Sequence, residues 1–504
     1  MSDTIFELSK FISKRESYNL NLWKDDTLSM EIFNLIHTGE ITSEQDFSNY
    51  YFKNNQKTTS FKKFIKRYEN RLIHGVFLIN TDKEEMSVLL KNYSKCIKFF
   101  LAAELIRWRA NYPLSLHYYE KSLKISIKFG FSTYVMLASQ ELMQLYSAFK
   151  NELKNYNRVQ RLYSKYFILN NQENKIKTYH YQARIHWVIE KDLNKTRKFT
   201  SSIRNEITEY IKTSSTYFIQ LQGNLLLIFD SFVHDRYQEA IDRSNKIIKI
   251  LTDKFKTKNA LKYFYRSKGQ CYLAMRDFKN AEENFLLALD QFNKEESTYS
   301  YILNDLFNIH SYAKNYTKLY ELTYEAFSLK ALKKSPQFEQ EWKIKEAYVQ
   351  FLNELGLVDA KKNKKIEKSN FKLNKFLNEV PIYNSDKAGI NVSILIIQLL
   401  WLLKNNDHNA VIDRLETMRQ YTYRYLKNDE TFRYNCFVKM LLQIPRANFH
   451  PFLTSKYTEN LLKKLKSKQT KLYEHTIEVE IIPFEDLWEI TLDMLEKNLN
   501  KTKT

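Results

Sequence analysis

The chain has 504 residues, of which 43% are hydrophobic and 15% are aromatic, so it can bury a large core. Only 7 Gly and 6 Pro are present, and since β-rich and α/β folds use these residues in tight turns, the composition disfavours both classes and predicts a mostly α-helical protein. The net charge of +21 attracts polyanions such as nucleic acid or acidic protein, although an AT-rich coding sequence also produces abundant Lys, Asn, Ile, Tyr and Phe.

Three features favour a reducing compartment outside the membrane. The cysteines, Cys96, Cys271 and Cys436, are far apart and form no CxxC pair, so neither a disulfide framework nor a zinc site is expected. The first residues, MSDTIFELSK, lack the apolar segment of a signal peptide. The longest apolar run, VSILIIQLLWLL (392–403), is shorter than the about 20 residues that span a bilayer and predicts a buried helix. We therefore expect a soluble cytoplasmic protein with no membrane partner.

Residues 1–80 have the organisation of a small helical module. The stretch TLSMEIFNLIHTGEI (27–41) predicts a helix ended by Gly39, and TTSFKKFIKRYENRLIHGVFLI (58–79) predicts a helix closed by Gly75. With a shorter helix between them, three helices fall within about 50 residues, which is the size and order of a helix-turn-helix or winged-helix module.

Basic residues concentrate at the end of this module. From Lys53 to Arg71 there are seven cations and one acid, Glu69, whereas residues 1–52 carry more acids than bases. A local group of cations on one helix indicates phosphate contacts and makes the module a candidate DNA reader. The alternatives are a solvated Lys face or a protein-docking cap, because the usual pattern of bacterial helix-turn-helix regulators is missing. The candidate nucleic-acid contacts are Lys62, Lys63, Lys66, Arg67 and Arg71.

A helical hairpin is predicted at YFYRSKGQCYLAMRDFKNAEENFLLAL (263–289). MRD forms the turn, and Asp277 is expected to cap the second helix. Small residues allow the two helices to approach at their crossing, and aromatic residues fill the space beside them. The positions with these roles are Gly269, Tyr272, Ala281, Phe285 and Ala288.

This pattern resembles the tetratricopeptide repeat, which has small residues at its eighth, twentieth and twenty-seventh positions and aromatic residues at its eleventh and twenty-fourth. The resemblance implies an α-solenoid that binds partners on the inner face of its first helices. Weaker copies of the pattern occur at 99–125, 225–251 and 301–329. Because 41 residues separate Ala240 from Ala281, against 34 in the standard repeat, we expect an irregular array. A generic helical bundle is the alternative for this region.

The C-terminal part is expected to be a separate helical block. The basic segment KKNKKIEKSN (361–370) predicts a solvated linker between the repeat array (81–360) and the block (371–504). Within the block, 399–421 predicts another hairpin. The alternating residues of HTIEVEIIPF (475–484) predict a terminal, half-buried strand.

The sequence contains no recognisable catalytic or cofactor motif. The glycines are too far apart for a nucleotide-binding loop, and HExxH and GxSxG are absent. His186 and Glu190 lie one helical turn apart, but one pair lacks the further ligands that zinc requires, so we interpret it as an exposed helix pair. We therefore expect no catalytic residue, no cofactor and no metal, and a protein that is not an enzyme.

These observations predict a non-enzymatic interaction protein, an α-solenoid scaffold or regulator that binds a protein or peptide segment, acidic in character. The candidate partner-binding residues lie on the first helix of the best repeat and are Lys262, Tyr263, Arg266 and Gln270. The alternative is a DNA-binding regulator that uses residues 53–71, with the repeats as sensor or dimerisation domain. The partner, the pathway and the oligomeric state are left open.

Overall fold

A computed structural model describes the fold of most of the chain. It covers residues 2–13, 26–43, 46–47, 50, 59–79, 88–214, 216–253, 260–329, 332, 336–359, 371, 390–425, 432–468 and 480–501. Every regular element in these ranges is a helix, so the prediction of an all-α fold is confirmed.

The helices belong to two compact units, Met1–Gln172 and Glu173–Thr504, and the boundary falls within α7. The helices of the first unit are α1 (Ser2–Ser13), α2 (Thr27–Thr38), α3 (Thr59–Leu78), α4 (Val88–Arg107), α5 (Tyr112–Phe129), α6 (Ser132–Leu145) and the start of α7 (Leu153–Arg184). The second unit continues with α8 (Leu193–Thr213), α9 (Asn224–Val233), α10 (Tyr237–Asp253), α11 (Leu261–Ala274), α12 (Phe278–Leu289), α13 (Ser297–Tyr312) and α14 (Tyr316–Ser328). It ends with α15 (Pro336–Glu354), α16 (Ile390–Lys404), α17 (His408–Tyr425), α18 (Phe432–Leu441), α19 (Gln443–Arg446), α20 (Pro451–Ser467) and α21 (Phe484–Lys501).

Helices α1 to α3 enclose a small core of their own, formed by residues between Ile5 and Leu72. Gly39 ends α2 in the left-handed conformation, with φ of 85°, as predicted. The predicted end of α3 at Gly75 is wrong, because the helix continues to Leu78. Gly75 is buried and the following Val76 still packs on the core, so tertiary packing outweighs the weak helix propensity of glycine here.

Four of the turns between consecutive helices share one backbone conformation. Ala110, Lys191, Arg276 and Lys314 all have positive φ, between 54° and 61°. In each case the next residue is an Asn or Asp whose side chain caps the following helix. The predicted cap Asp277 is among them and is confirmed, since it accepts a hydrogen bond from the Asn280 amide at 3.2 Å. The helices on either side of these turns pack on each other where both are described, as α4 does on α5 and α11 on α12.

The C-terminal part contains the predicted buried helix. Residues 391–401 of α16 are all buried, so the apolar run forms core rather than a surface. The predicted linker (361–370) lies outside the described residues, as does half of the predicted strand (475–479). The described part of that segment, 480–484, contains no strand. All five of these residues are buried, which differs from the alternating exposure that a half-buried strand requires.

Candidate functional site

The candidate site is one face shared by α11, α13 and α15. Each helix places an aromatic residue and a polar or charged residue at helical spacing on the same side. We call this surface the α11–α13–α15 face, and its residues are Tyr263, Arg266, Gln270, Tyr301, Asn304, Asp305, Asn308, Phe338 and Lys345. Helix α11 packs directly on α13, and aromatic pairs join α13 to α15, so the three rows are neighbours.

Aromatic rings form one edge of this face. The ring of Tyr263 meets Phe292 edge-on with centroids 5.6 Å apart, and Tyr301 meets Phe338 in the same way at 5.0 Å. Tyr263 is 39% exposed and Tyr301 is 47% exposed. Rings that are held by a neighbour and still reach solvent offer contact area to a ligand with little loss of side-chain entropy.

Charged side chains lie beside the rings. Arg266 Nε is 3.7 Å from Asp305 Oδ2, which is too long for a hydrogen bond. Neither atom has a hydrogen-bond partner among the described residues, and neither does Asn304 Oδ1. Burial raises the pKa of Asp305 to about 6, although the cations Arg266 and Lys345 act in the opposite direction. Similar buried polar atoms without a hydrogen-bond partner occur elsewhere among the described residues, so the feature specific to this face is the ion pair beside exposed rings.

The predicted partner-binding residues are brought to this face with unequal accessibility. Arg266 and Tyr263 lie on it, and Gln270 is partly buried one turn further along α11. Lys262 instead binds its own chain: its Nζ is 3.0 Å from Glu296 and 4.2 Å from the Phe292 ring centroid. Its side chain is only 13% exposed, so Lys262 supports Tyr263 and Phe292 rather than presenting a charge.

The residues of the predicted hairpin signature lie in the interior behind this face. Ala281, Phe285 and Ala288 are completely buried, and Tyr272 is partly buried against the same core. A Cβ atom added at Gly269 would lie 2.8 Å from ring carbons of Phe285. The missing side chain of Gly269 therefore allows α11 and α12 to approach closely.

Asp305, Asn304 and Lys345 were not anticipated from the sequence. They are separated from Arg266 along the chain, and only the packing of α13 and α15 beside α11 brings them together. The signal that could have identified Asn304 and Asp305 is an aromatic residue followed by a polar residue three or four positions later, which occurs on the first helices of two successive hairpins. Lys345 lies seven positions after Phe338 and does not follow this spacing.

The basic helix α3 presents most of its predicted contacts to solvent. Lys62, Lys63, Lys66 and Arg67 are exposed, and none of them forms an ion pair with another described residue. Arg71 differs, because its guanidinium binds Asp26 at 3.0 Å at the start of α2. Partial burial opposes ionisation of Asp26, but hydrogen bonds from Ser29 and the charge of Arg71 outweigh it and lower the pKa of that carboxyl. Arg71 therefore has a structural partner inside the module.

One group of side chains has the composition of a catalytic triad but not its connectivity. Ser201 Oγ is 2.9 Å from His234 Nε2, whereas His234 Nδ1 hydrogen-bonds the backbone carbonyl of Asp230 at 2.8 Å and the Asp230 Oδ1 atom has no hydrogen-bond partner among the described residues. The other carboxylate oxygen of Asp230 binds both Arg204 and Arg236. Ser201 lies inside α8, where backbone N–H groups bond within the helix and supply no donors to an oxyanion. We interpret this group as a polar contact between α8 and the end of α9.

The described residues contain neither a metal cluster nor a membrane span. No group of three or more His, Cys, Asp or Glu side chains is placed to hold a metal ion within the described ranges. His186 and Glu190 form the expected helix pair at 2.8 Å, and Lys195 also binds that carboxylate. Among the described helices, none combines the length and apolar character that crossing a membrane requires.

The described part of the chain is thus an all-α protein with a polar and aromatic face across three neighbouring helices. No protein-family model matches this sequence, and comparison with curated proteins gives no match either. The function is therefore inferred from the residues of the chain itself.

Proposed function

We propose that this protein is a non-enzymatic scaffold or regulator of the cytoplasm, built as an irregular α-solenoid of tetratricopeptide-like hairpins. Its α11–α13–α15 face binds a segment of a partner protein. The close approach at Gly269 and the repeated capped turns support a hairpin array. In such arrays the first helices of successive hairpins line a shared binding surface.

The observation that carries the proposal is the Arg266–Asp305 ion pair beside two exposed tyrosines. The Arg266 side chain is 30% exposed, so a protein segment can contact its guanidinium while apolar parts of the segment cover Tyr263 and Tyr301. Such a combination of aromatic anchors with an Arg is typical of the residues that dominate binding energy at interfaces.

The charge of the face favours an acidic segment. Arg266, whose side chain is 30% exposed, and Lys345 place two cations near the carboxylate of Asp305. Lys345 is buried over the Phe307 and Trp342 rings. Because the pKa of Asp305 is raised to about 6, part of its negative charge is lost in mildly acidic solution. The net positive potential that results attracts acidic side chains and raises the association rate.

Affinity capture with the full-length protein tests this proposal. The protein is used as bait in a cytoplasmic extract of its native cell, beside the variant Arg266→Gln/Tyr301→Ala. A matched control, Arg419→Gln/Tyr457→Ala, makes the same chemical changes at exposed positions of α17 and α20. We expect a partner that both wild type and control capture and that the first variant loses. Equal capture by all three proteins would contradict the proposal.

A second candidate function is DNA binding through α3. The observation in its favour is that Lys62, Lys63, Lys66 and Arg67 are exposed and lack ion-pair partners among the described residues. A gel shift of duplex DNA at low and moderate salt tests it, because phosphate contacts weaken steeply as salt rises. Replacing the four cations with Gln should reduce the salt slope by about one unit for each lost contact.

The control for this experiment changes four exposed lysines of α20 to Gln, namely Lys456, Lys463, Lys464 and Lys466. It has the same net charge as the α3 variant but leaves α3 intact. If both variants lose DNA binding equally, the interaction depends on overall charge rather than on α3. If wild type does not bind DNA even at low salt, the α3 module has another role, such as protein docking.

A further inference from the structure

A second candidate binding surface lies in the first unit, between α5 and α7. It is a cleft of about 430 Å³, distinct from the α11–α13–α15 face. Its lining combines cations with apolar side chains and a single acid, and consists of His117, Glu120, Lys121, Leu123, Lys124, Ile127 and Arg158. We call it the α5–α7 cleft.

The acid in the cleft is already occupied. Glu120 accepts a hydrogen bond from the Tyr146 hydroxyl at 2.8 Å and pairs with the guanidinium of Arg158 across the cleft. One arginine therefore neutralises one carboxylate. The remaining fixed charges on the lining, Lys121 and Lys124, are both positive.

These two lysines are positioned without an acidic counter-ion. The Lys121 ammonium lies 5.4 Å from the Phe99 ring centroid and 5.2 Å from that of Tyr118, and the two rings stack at 5.9 Å. Lys124 follows one turn later and is exposed. Neither lysine forms an ion pair with another described residue. Cation–π contacts restrain the Lys121 ammonium but leave its charge available to an anion.

The floor of the cleft is apolar. Leu123 is buried beneath the lysines, and Ile127, one turn further along α5, is 40% exposed. A phosphate backbone gains little from such a floor, since its contacts are charges and hydrogen bonds. A protein segment can use both features, because it carries carboxylates and apolar side chains together.

We propose that the α5–α7 cleft binds an acidic, amphipathic protein segment. Carboxylates of the segment pair with Lys121 and Lys124, and an apolar side chain covers Ile127. This charge complementarity is independent of the α11–α13–α15 face, so the two surfaces can be tested separately.

Fluorescence anisotropy with the full-length protein tests the proposal. The probe is a fluorescein-labelled peptide made only of Asp, Glu and Leu, and the reference peptide carries Asn and Gln in place of the acids. We expect the acidic peptide to bind more tightly at low salt. The variant Lys121→Gln/Lys124→Gln should weaken binding about tenfold, as expected for two lost ion pairs at a partly covered site. Ile127→Gln should also weaken it, which a purely electrostatic surface would not show.

The matched control is Lys246→Gln/Lys249→Gln, which removes two exposed lysines at the same spacing on α10. It should change the affinity less than twofold. The proposal is wrong if the acidic peptide does not bind wild type, or if the two double variants behave alike. A labelled DNA duplex that binds more tightly than the peptide, and depends on Lys121 and Lys124 but not on Ile127, would identify a nucleic-acid surface instead.

Discussion

The substitution Gly269→Ala tests the packing that holds the α11–α12 hairpin together. Gly269 is buried in α11 and faces Phe285 of α12. A new Cβ would lie 2.8 Å from two ring carbons of Phe285 and 3.0 Å from a third. Since favourable carbon–carbon contacts begin at about 3.5 Å, either the ring or the helix has to move by several tenths of an ångström.

The expected loss of stability follows from two opposing terms. Overpacking of a filled core costs about 1–3 kcal/mol, and Phe285 is completely buried with no open space beside it. Alanine is a better helix former than glycine by about 1 kcal/mol, which offsets part of this cost. We therefore expect Gly269→Ala to lower the free energy of unfolding by about 1 kcal/mol, whereas propensity alone would raise it.

Urea unfolding followed by circular dichroism measures this effect, and Gly223→Ala is the matched control. At Gly223 the new Cβ would lie 3.0 and 3.1 Å from Cγ1 and Cδ1 of Ile211 and 3.5 Å from Cγ2 of Ile207, so its contacts are looser than those at Gly269. The double variant Gly269→Ala/Phe285→Leu should recover the propensity gain because the ring is gone, giving a coupling energy of about 1–3 kcal/mol. Equal effects at the two glycines, or additive effects of the pair, would refute the close approach.

Three further predictions concern stability. Ala110 has φ of 58°, so Ala110→Gly should relieve strain and raise the melting temperature. Ala102→Gly, inside α4, should lower the melting temperature because glycine reduces helix stability by about 1 kcal/mol. Shifts of the same sign for both variants would contradict this reasoning. Burial raises the pKa of Asp305 to about 6, so the folded state holds this proton more tightly than the unfolded state does. The free energy of unfolding should therefore fall as pH rises from about 4 to 6. Urea titrations at several pH values should show this decline for wild type and not for Asp305→Asn. Arg433 binds Glu480, whose side chain is 3% exposed. Arg433→Met would leave that carboxylate buried without its cation and should lower the free energy of unfolding, measured by thermal unfolding, by about 3–5 kcal/mol. A loss below about 1 kcal/mol would show that this ion pair is dispensable.

Features that depend on neighbouring residues could be predicted from the sequence. Gly39 ends α2, Asp277 caps α12, and the apolar run at 392–403 forms a buried helix, because each outcome depends on a side chain and the turn beside it. Gly75 did not end α3, since burial on the module core outweighed its local preference. The strand predicted at 475–484 stays a prediction for 475–479, which lie outside the described residues, and in 480–484 the alternation of residue types does not correspond to alternation of burial.

The candidate site could be predicted only in part. Arg266 was chosen because it lies on the first helix of the clearest hairpin. Its partner Asp305 and the nearby Lys345 belong to later hairpins, and their proximity depends on how α13 and α15 pack beside α11. Periodicity within one helix identifies a face, but it does not determine which face of another helix lies next to it.

The charge of the protein shows the same dependence on tertiary structure. Arg71 and Lys262 were both expected to meet a partner molecule, yet each binds a carboxylate of its own chain, Asp26 and Glu296. The net charge of +21 therefore overstates the charge available for binding at any one place. Exposed cations without ion pairs among the described residues include those of α3 and those of the α5–α7 cleft. In the cleft they lie beside apolar side chains, so the response to Ile127→Gln distinguishes recognition of a protein segment from general attraction of polyanions.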